Sequence, residues 1–96
     1  MPIVYCSLEL YLPYCHSLKE KRNVMRKAAE RLRSRFNFSI AQLGPDDSWQ
    51  RGYLGAVSIS SDRRKLQQLA EKLVREAEDI LGSDLLRADI EFYEHD

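Results

Sequence analysis

A thiol next to an imidazole is the first feature of this sequence that could do chemistry. Cys15 and His16 precede Ser17, where a helix is expected to begin, and a helix dipole together with an imidazolium stabilises a thiolate. A nucleophilic centre also needs a group that orients the base, and the only other histidine, His95, lies near the C-terminus. Two Cys and two His without paired spacing do not make a zinc site. These residues predict no catalytic centre and no metal.

Positive charge is the second feature. Residues 17–36 hold eight Lys or Arg and two Glu, a net +6 within a chain of formal net charge +0. Lysine and arginine bind nucleic acids by neutralising backbone phosphates, so this segment is a candidate RNA-binding surface. The predicted RNA-binding residues are Lys19, Lys21, Arg22, Arg26 and Arg33, with Arg63 and Arg64 as further candidates. An ordinary solvated helix face remains the alternative, because fifteen bases are balanced by fifteen acids in the whole chain.

A third set of residues has the composition of a protein interface, in which Tyr, Trp and Arg are enriched. The predicted interface residues are Tyr5, Tyr11, Trp49, Arg51 and Tyr93. The alternative for two of them is structural: Trp49 packs over the end of a hairpin while Arg51 pairs with Asp46 or Asp47. Both interpretations stay open at the level of the sequence.

The elements that position these residues follow from periodicity. Residues 3–12 alternate with period two, which predicts a strand that Pro13 ends. Ser17 and Glu20 match a capping box, and apolar residues then recur at helical spacing up to Phe36. Lys21 falls within the apolar arc of this helix. Its stem is expected to lie on the apolar surface while its ammonium reaches solvent.

The second half of the chain predicts two more strands, a helix and a final strand. Phe38, Ile40 and Leu43 mark the second strand, and residues 44–48 are dense in turn formers. The third strand, residues 49–60, alternates ambiguously, and Gly52 and Gly55 are candidates for a bulge. Trp49, Arg51 and Tyr53 are expected on the open face of the sheet.

The chain is expected to end with an amphipathic helix and a strand. Asp62 caps the helix, which runs to Leu81, and Gly82 stops it. In the last strand, residues 85–93, alternate apolar side chains are expected to be buried. These are Leu86, Ala88, Ile90 and Phe92.

The predicted order is βαββαβ in a single domain, residues 1–96. Right-handed crossovers then give an α+β, ferredoxin-like fold: a four-stranded antiparallel sheet with two helices on one face and an open opposite face. Acylphosphatases share this topology and use an arginine in the loop after the first strand. The corresponding loop, residues 13–16, has neither arginine nor glycine, and the chain lacks G-x-x-x-x-G-K and G-x-G-x-x-G. The sequence therefore predicts that the protein is not an enzyme and needs no cofactor.

Three motifs resemble the YlxP-like family of small bacterial proteins, a domain of unknown function. They are Ser-Leu-Lys-Glu-Lys-Arg at 17–22, Phe36-Asn37 with Ala41, and Trp-Gln-Arg at 49–51. The resemblance spans essentially the whole chain. It implies a ferredoxin-like fold and no established activity. In many bacteria the family's gene lies among those for translation and ribosome maturation, which implies RNA or a ribosomal subunit as the partner.

Composition limits the remaining classes. The longest apolar runs fall short of the ~20 residues that a membrane helix needs, and the N-terminal residues lack a basic n-region, so a cytoplasmic protein without a membrane segment is expected. Residues 76–96 carry eight acids and one base, a local charge of −7 that argues against binding polyanions with the whole surface. The mixed aromatic and charged sheet face is better suited to a homodimer than to stacked bases, because its carboxylates repel phosphates.

Overall fold

The computed structural model describes residues 1–44 and 47–94. Its order is βαββαβ, and the four strands form one antiparallel sheet in the order β2-β3-β1-β4. This confirms the α+β, ferredoxin-like prediction. The elements are β1 Pro2–Tyr11, α1 Leu18–Arg35, β2 Ser39–Leu43, β3 Arg51–Ile59, α2 Arg63–Leu81, a 3₁₀ turn Gly82–Asp84, and β4 Leu85–Glu94.

The core lies between the sheet and the two helices. On β1 the predicted alternation is confirmed, because Val4, Cys6, Leu8 and Leu10 are only 0–1% exposed. The helices cover this side of the sheet with their buried apolar residues, Met25, Ala28, Ala29, Leu32, Leu66, Ala70, Leu73, Ala77 and Leu81. The opposite side of the sheet has no helix of the described chain against it and is the open face.

The capping signals begin both helices as predicted. The Ser17 hydroxyl accepts a hydrogen bond from the Glu20 backbone N–H at 3.1 Å, and the Glu20 carboxylate accepts one from the His16 N–H at 2.9 Å. Asp62 accepts from the Lys65 N–H at 3.1 Å in the same way. These bonds satisfy N–H groups that a helix start leaves without partners.

The prediction of a bulge in β3 is wrong. Ile3 to Tyr11 pair with Ile59 to Arg51 in one unbroken register, so β3 keeps a single parity along its length. Arg51 and Tyr53 lie on the open face, as predicted. The strand begins at Arg51, and Trp49 precedes it. The hairpin predicted at 44–48 lies partly outside the described residues, at positions 45 and 46.

The prediction that Leu86 is buried is also wrong, because its side chain is 53% exposed. The pairing of β1 with β4 shifts between Glu9 and Leu10, so that Leu10 lies opposite Leu85. This irregularity inserts an extra residue and turns Leu86 away from the core. Ala88 and Ile90 beyond it are only half-buried.

Neither helix in the described part of the chain is long and apolar enough to cross a membrane.

Candidate functional site

The open face is laid out in rows that run across the strands. One end row holds Ile59, Ile3 and Tyr93, and the next holds Val57, Tyr5 and Glu91. A third row holds Gly55, Ser7 and Asp89, a fourth holds Tyr53, Glu9 and Arg87, and the last holds Arg51 and Tyr11. The face therefore has an apolar end, a central row with Gly55, Ser7 and Asp89, and a charged end.

The apolar end, defined as Ile3, Tyr5, Val57, Ile59 and Tyr93, is exposed to an unusual degree. Val57, Ile59 and Tyr93 are 41–53% exposed, and the two β1 residues are half-buried. The predicted interface residues include Tyr5 and Tyr93 of this group. Ile3, Val57 and Ile59 were not predicted. The signal was present, because Val57 and Ile59 share the parity of Tyr53, but the expected bulge obscured it.

The charged end is held by short ion pairs. Arg51 pairs with Glu9 at 2.9 Å and lies over the Tyr11 ring at 5.9 Å, while Arg87 pairs with Asp89 at 2.7 Å. The alternative prediction paired Arg51 with Asp46, which lies outside the described residues, or with Asp47. Arg51 instead pairs with Glu9. A shallow depression of about 200 Å³ lies between these pairs, lined by Ser7, Glu9, Tyr53, Arg87 and Asp89.

Trp49 stands beside the charged end on a tightly restrained turn. The Ser48 hydroxyl accepts from the N–H groups of Gln50 and Arg51, each at 3.2 Å. The Gln50 carbonyl accepts from the Leu12 N–H at 2.6 Å. Trp49 itself is 54% exposed. A rigid turn that presents an exposed tryptophan loses little entropy on binding, which suits a protein interface.

Lys21 is placed by the structure in the interior, where it supports this turn. Its side chain is 4% exposed, and its Nζ donates to the carbonyls of Ser48 at 2.7 Å and Arg51 at 3.1 Å. The prediction that the ammonium reaches solvent is therefore wrong, and Lys21 does not belong to an exposed phosphate-binding surface. The motifs at 17–22 and 49–51 meet through these bonds.

The other predicted RNA-binding residues lie on the exposed side of α1. Lys19, Arg22 and Arg26 follow one another along one flank of the helix. Arg26 pairs with Glu30 at 3.3 Å, and Arg33 donates to the Ile40 carbonyl at 2.9 Å. Arg33 therefore has a structural role in joining α1 to β2, whereas an exposed pair such as that of Arg26 contributes about 0.3–0.5 kcal/mol and exchanges partners easily.

The Cys15 thiol does not have the properties of an activated nucleophile. Its side chain is buried, and burial, followed by the charge of Glu20, raises the pKa of the Cys15 thiol. Burial likewise raises the pKa of Cys6 to about 11. Both cysteines are free. Within residues 1–44 and 47–94, no three His, Cys, Asp or Glu side chains come together as metal ligands.

The fold, the open face of the sheet and the exposed bases of α1 define a small ferredoxin-like α+β protein. Its chain belongs to the family described as "Protein of unknown function (DUF503)", whose model matches residues 3–90. A relative, "Uncharacterized protein YlxP" of Bacillus subtilis (strain 168), is 36% identical over 58 residues. That match covers 60% of this chain and 63% of the relative. This chain therefore spans less than two thirds of the relative's length. The resemblance to the YlxP-like family is thereby confirmed.

A solved structure gives the second comparison. It is a mutant of SnoaB, a cofactor-independent oxygenase from Streptomyces nogalater, with 14% identity and a TM-score of 0.48. The match covers 98% of this chain and 92% of that chain. This comparison, which is with an enzyme, corrects the prediction that the protein is not an enzyme. The likeness assigns no activity to this chain.

Proposed function

We propose that the protein is a protein-interaction module that self-associates through the open face of its sheet. The observation that carries this proposal is the exposure of the apolar end, where Val57, Ile59 and Tyr93 lie together on one surface. Contiguous exposed apolar surface on a small protein is typical of an interaction site. The face also has the mixture of aromatic and charged side chains found in interfaces.

A second copy of the chain complements this face in charge. In the proposed assembly a two-fold axis lies in the interface, runs perpendicular to the strands and passes over Ser7. It places the apolar end of one copy over the charged end of the other. The pairing register then brings Arg87 of one copy over Glu91 of the other, twice by symmetry. Asp89 lies on the axis, where its charge is already compensated by Arg87 at 2.7 Å.

The same axis gives the apolar end a suitable partner surface. Ile3 of one copy meets Tyr11 of the other, and Ile59 meets the stem of Arg51. In the central row the Leu43 and Tyr5 side chains lie over Gly55, 2.8 and 3.1 Å from where a Cβ would stand, and they add to the apolar surface that a second copy covers. Apolar, aromatic and charged parts of the face are each used in this arrangement.

Replacing Val57 with glutamate tests the proposal. In the assembly this carboxylate would be buried without a partner, so self-association should weaken by about a hundredfold, or about 3 kcal/mol. Sedimentation velocity across a concentration series measures the change, against a monomer mass of 11.2 kDa. In the isolated chain Val57 is exposed, so thermal unfolding at low concentration should change little.

The matched control is Gln68→Glu, which adds the same charge on an exposed position of α2. It should leave the sedimentation coefficient unchanged. A wild-type protein that stays monomeric at high concentration would contradict self-association. An assembly that tolerates Val57→Glu would contradict the use of this face.

A second candidate function, binding of RNA or a ribosomal subunit, is supported by the flank of α1. Lys19, Arg22 and Arg26 are exposed there in succession. Charge at this flank can act separately from the acidic end of the chain, because the Debye length is about 8 Å at physiological salt. The contact would be electrostatic and largely independent of sequence.

Charge reversal at Lys19 and Arg22 tests this second candidate. The double variant Lys19→Glu/Arg22→Glu should bind purified ribosomal subunits or ribosomal RNA more weakly, and the slope of log affinity against log salt should fall by about one for each lost phosphate contact. Lys72→Glu/Arg75→Glu, which makes the same change of charge at two exposed positions of α2, is the control. Equal weakening by both variants would show that only net charge matters and would exclude a site on α1.

A further inference from the structure

The two-fold axis of the proposed assembly runs along one row of the open face. Strand pairing places Ala41, Gly55, Ser7 and Asp89 side by side in that row. A residue on a two-fold axis meets the same residue of the other copy, because the axis exchanges the two molecules and leaves that position in place. Asp89 is the one charged residue of the row. The two Asp89 carboxylates therefore meet each other across the interface.

The contact between the two Asp89 side chains is short. Face-to-face sheets lie about 10 Å apart, and side chains that project from both sheets fill this space. In the free chain the Asp89 side chain is 44% exposed, so water solvates its charge. In the assembly the facing sheet displaces that water. Two carboxylates that share one site repel each other, and this repulsion opposes association.

The bases of β4 compensate this repulsion only in part. Arg87 pairs with Asp89 at 2.7 Å in the free chain, and in the assembly the same guanidinium also meets Glu91 of the other copy. On the open-face side of β4 and its symmetry mate, two Arg87 side chains then face four carboxylates, those of Asp89 and Glu91 from each copy. An excess of negative charge remains along the axis.

The other titratable groups around Asp89 leave this excess unchanged. Glu9 of β1 lines the same depression as Asp89, and Arg51 of β3 pairs with it at 2.9 Å, so this pair adds no net charge. The remaining titratable neighbours are tyrosines, which are uncharged below about pH 10. They are Tyr5 on β1, Tyr53 on β3 and Tyr93 on β4, whose hydroxyl donates to Glu91.

We propose that pH regulates self-association through the two Asp89 carboxyls, which take up one proton from solvent when two copies associate and share it as an O–H···O⁻ hydrogen bond. One carboxyl donates and the other accepts, so repulsion is replaced by a strong charge-assisted bond. The assembly holds one more proton than two free chains, so association strengthens as the pH falls. This inference rests on the self-association proposed above and names the group that controls it.

Two substitutions on β4 test the place of Asp89 on the axis. Asp89→Asn removes the repulsion and should strengthen self-association about tenfold at about pH 7.5. Glu91→Gln makes the same change of charge two residues further along the strand and should weaken self-association, because Arg87 of the other copy loses its partner. Sedimentation velocity across a concentration series measures both. Strengthening by both variants to the same extent would show that only net charge matters and would overturn the shared proton.

The pH dependence supplies the second test. Between about pH 7.5 and pH 5.5 the association of the wild-type protein should tighten about fivefold or more, whereas that of Asp89→Asn should change by about twofold or less. Histidines change charge in the same window. The control is therefore His16→Gln/His95→Gln, which replaces both histidines of the chain and should keep the wild-type pH dependence.

The outcomes separate this inference from the self-association beneath it. A wild-type protein that stays monomeric at both pH values would contradict both. An assembly that Val57→Glu dissociates and Asp89→Asn weakens would overturn the shared proton and leave the use of the open face intact. A pH dependence that survives Asp89→Asn, or one that the loss of the histidines abolishes, would overturn it in the same way.

Discussion

Lys21→Met is expected to lower the free energy of unfolding by about 3 kcal/mol, an unusually large effect for the loss of a lysine. The ammonium donates to the Ser48 and Arg51 carbonyls at 2.7 and 3.1 Å, and the side chain is almost fully buried. Hydrogen bonds to a charged group contribute about 1.5–3 kcal/mol each. Methionine keeps the stem and removes the donor, so two partly buried carbonyls lose a partner.

Desolvation of the ammonium makes the net loss of stability smaller than the sum of the two hydrogen-bond contributions. A buried ammonium carries a desolvation cost of several kcal/mol, and methionine removes that cost. The loss of two charge-assisted bonds outweighs it because both acceptors are backbone groups held in place by the β1–β3 pairing and the Ser48 turn. Urea unfolding with a fixed m-value measures the difference.

The matched control is Lys19→Met, two residues earlier in the same helix and exposed, which should change stability by about 0.5 kcal/mol or less. A second readout follows from the single tryptophan of the chain, Trp49, whose turn Lys21 supports. Its fluorescence anisotropy in the folded state should fall in Lys21→Met and not in the control. Equal stability of the two variants would show that the buried ammonium contributes nothing net.

Lys21 also shows where sequence reasoning stops. The helical wheel correctly placed it within the apolar arc of α1, which is a local property of the sequence. Its acceptors come from residues 27 and 30 positions further along the chain. The periodicity of one helix contains no information on which carbonyls of another element lie next to it, so the burial of the ammonium could not be predicted.

The strands show the same limit. The alternation of β1 was sufficient to predict its two faces, because nearly every second residue is apolar and completely buried. For β4, the exposure of Leu86 depends on how the strand pairs with Leu10, which is a non-local property. The alternation of side chains along the strands was sufficient to place the candidate interface residues of the strands on the open face. The RNA-binding candidates followed from charge alone, and charge does not distinguish an exposed base from Lys21 in the interior or Arg33 bound to a carbonyl.

Gly52→Ala is the second substitution with a large expected effect, about 1–3 kcal/mol of lost stability. A Cβ at this position would lie 2.6 Å from Met25 Sδ and 2.8 Å from Met25 Cε. Gly52 is therefore required by the close approach of α1 to β3, and not by the bulge that the sequence suggested. Met25 is 2% exposed, and the depression of about 230 Å³ that it lines together with Gly52 lets its flexible end shift aside at the cost of core contacts, which favours the lower part of this range.

The pair can be tested by a double-mutant cycle. Met25→Val removes volume from the core and should cost about 1–2 kcal/mol by itself. Combined with Gly52→Ala, the new methyl group occupies part of the space that the shorter side chain leaves, so the double variant should be more stable than the sum of the single effects predicts, with a coupling of about 1 kcal/mol. Additive effects in urea unfolding would contradict direct contact between positions 25 and 52. A favourable coupling would establish that Gly52 sets the distance between the sheet and α1. This distance matters to the Trp49 turn, because α1 supplies the Lys21 side chain that supports it.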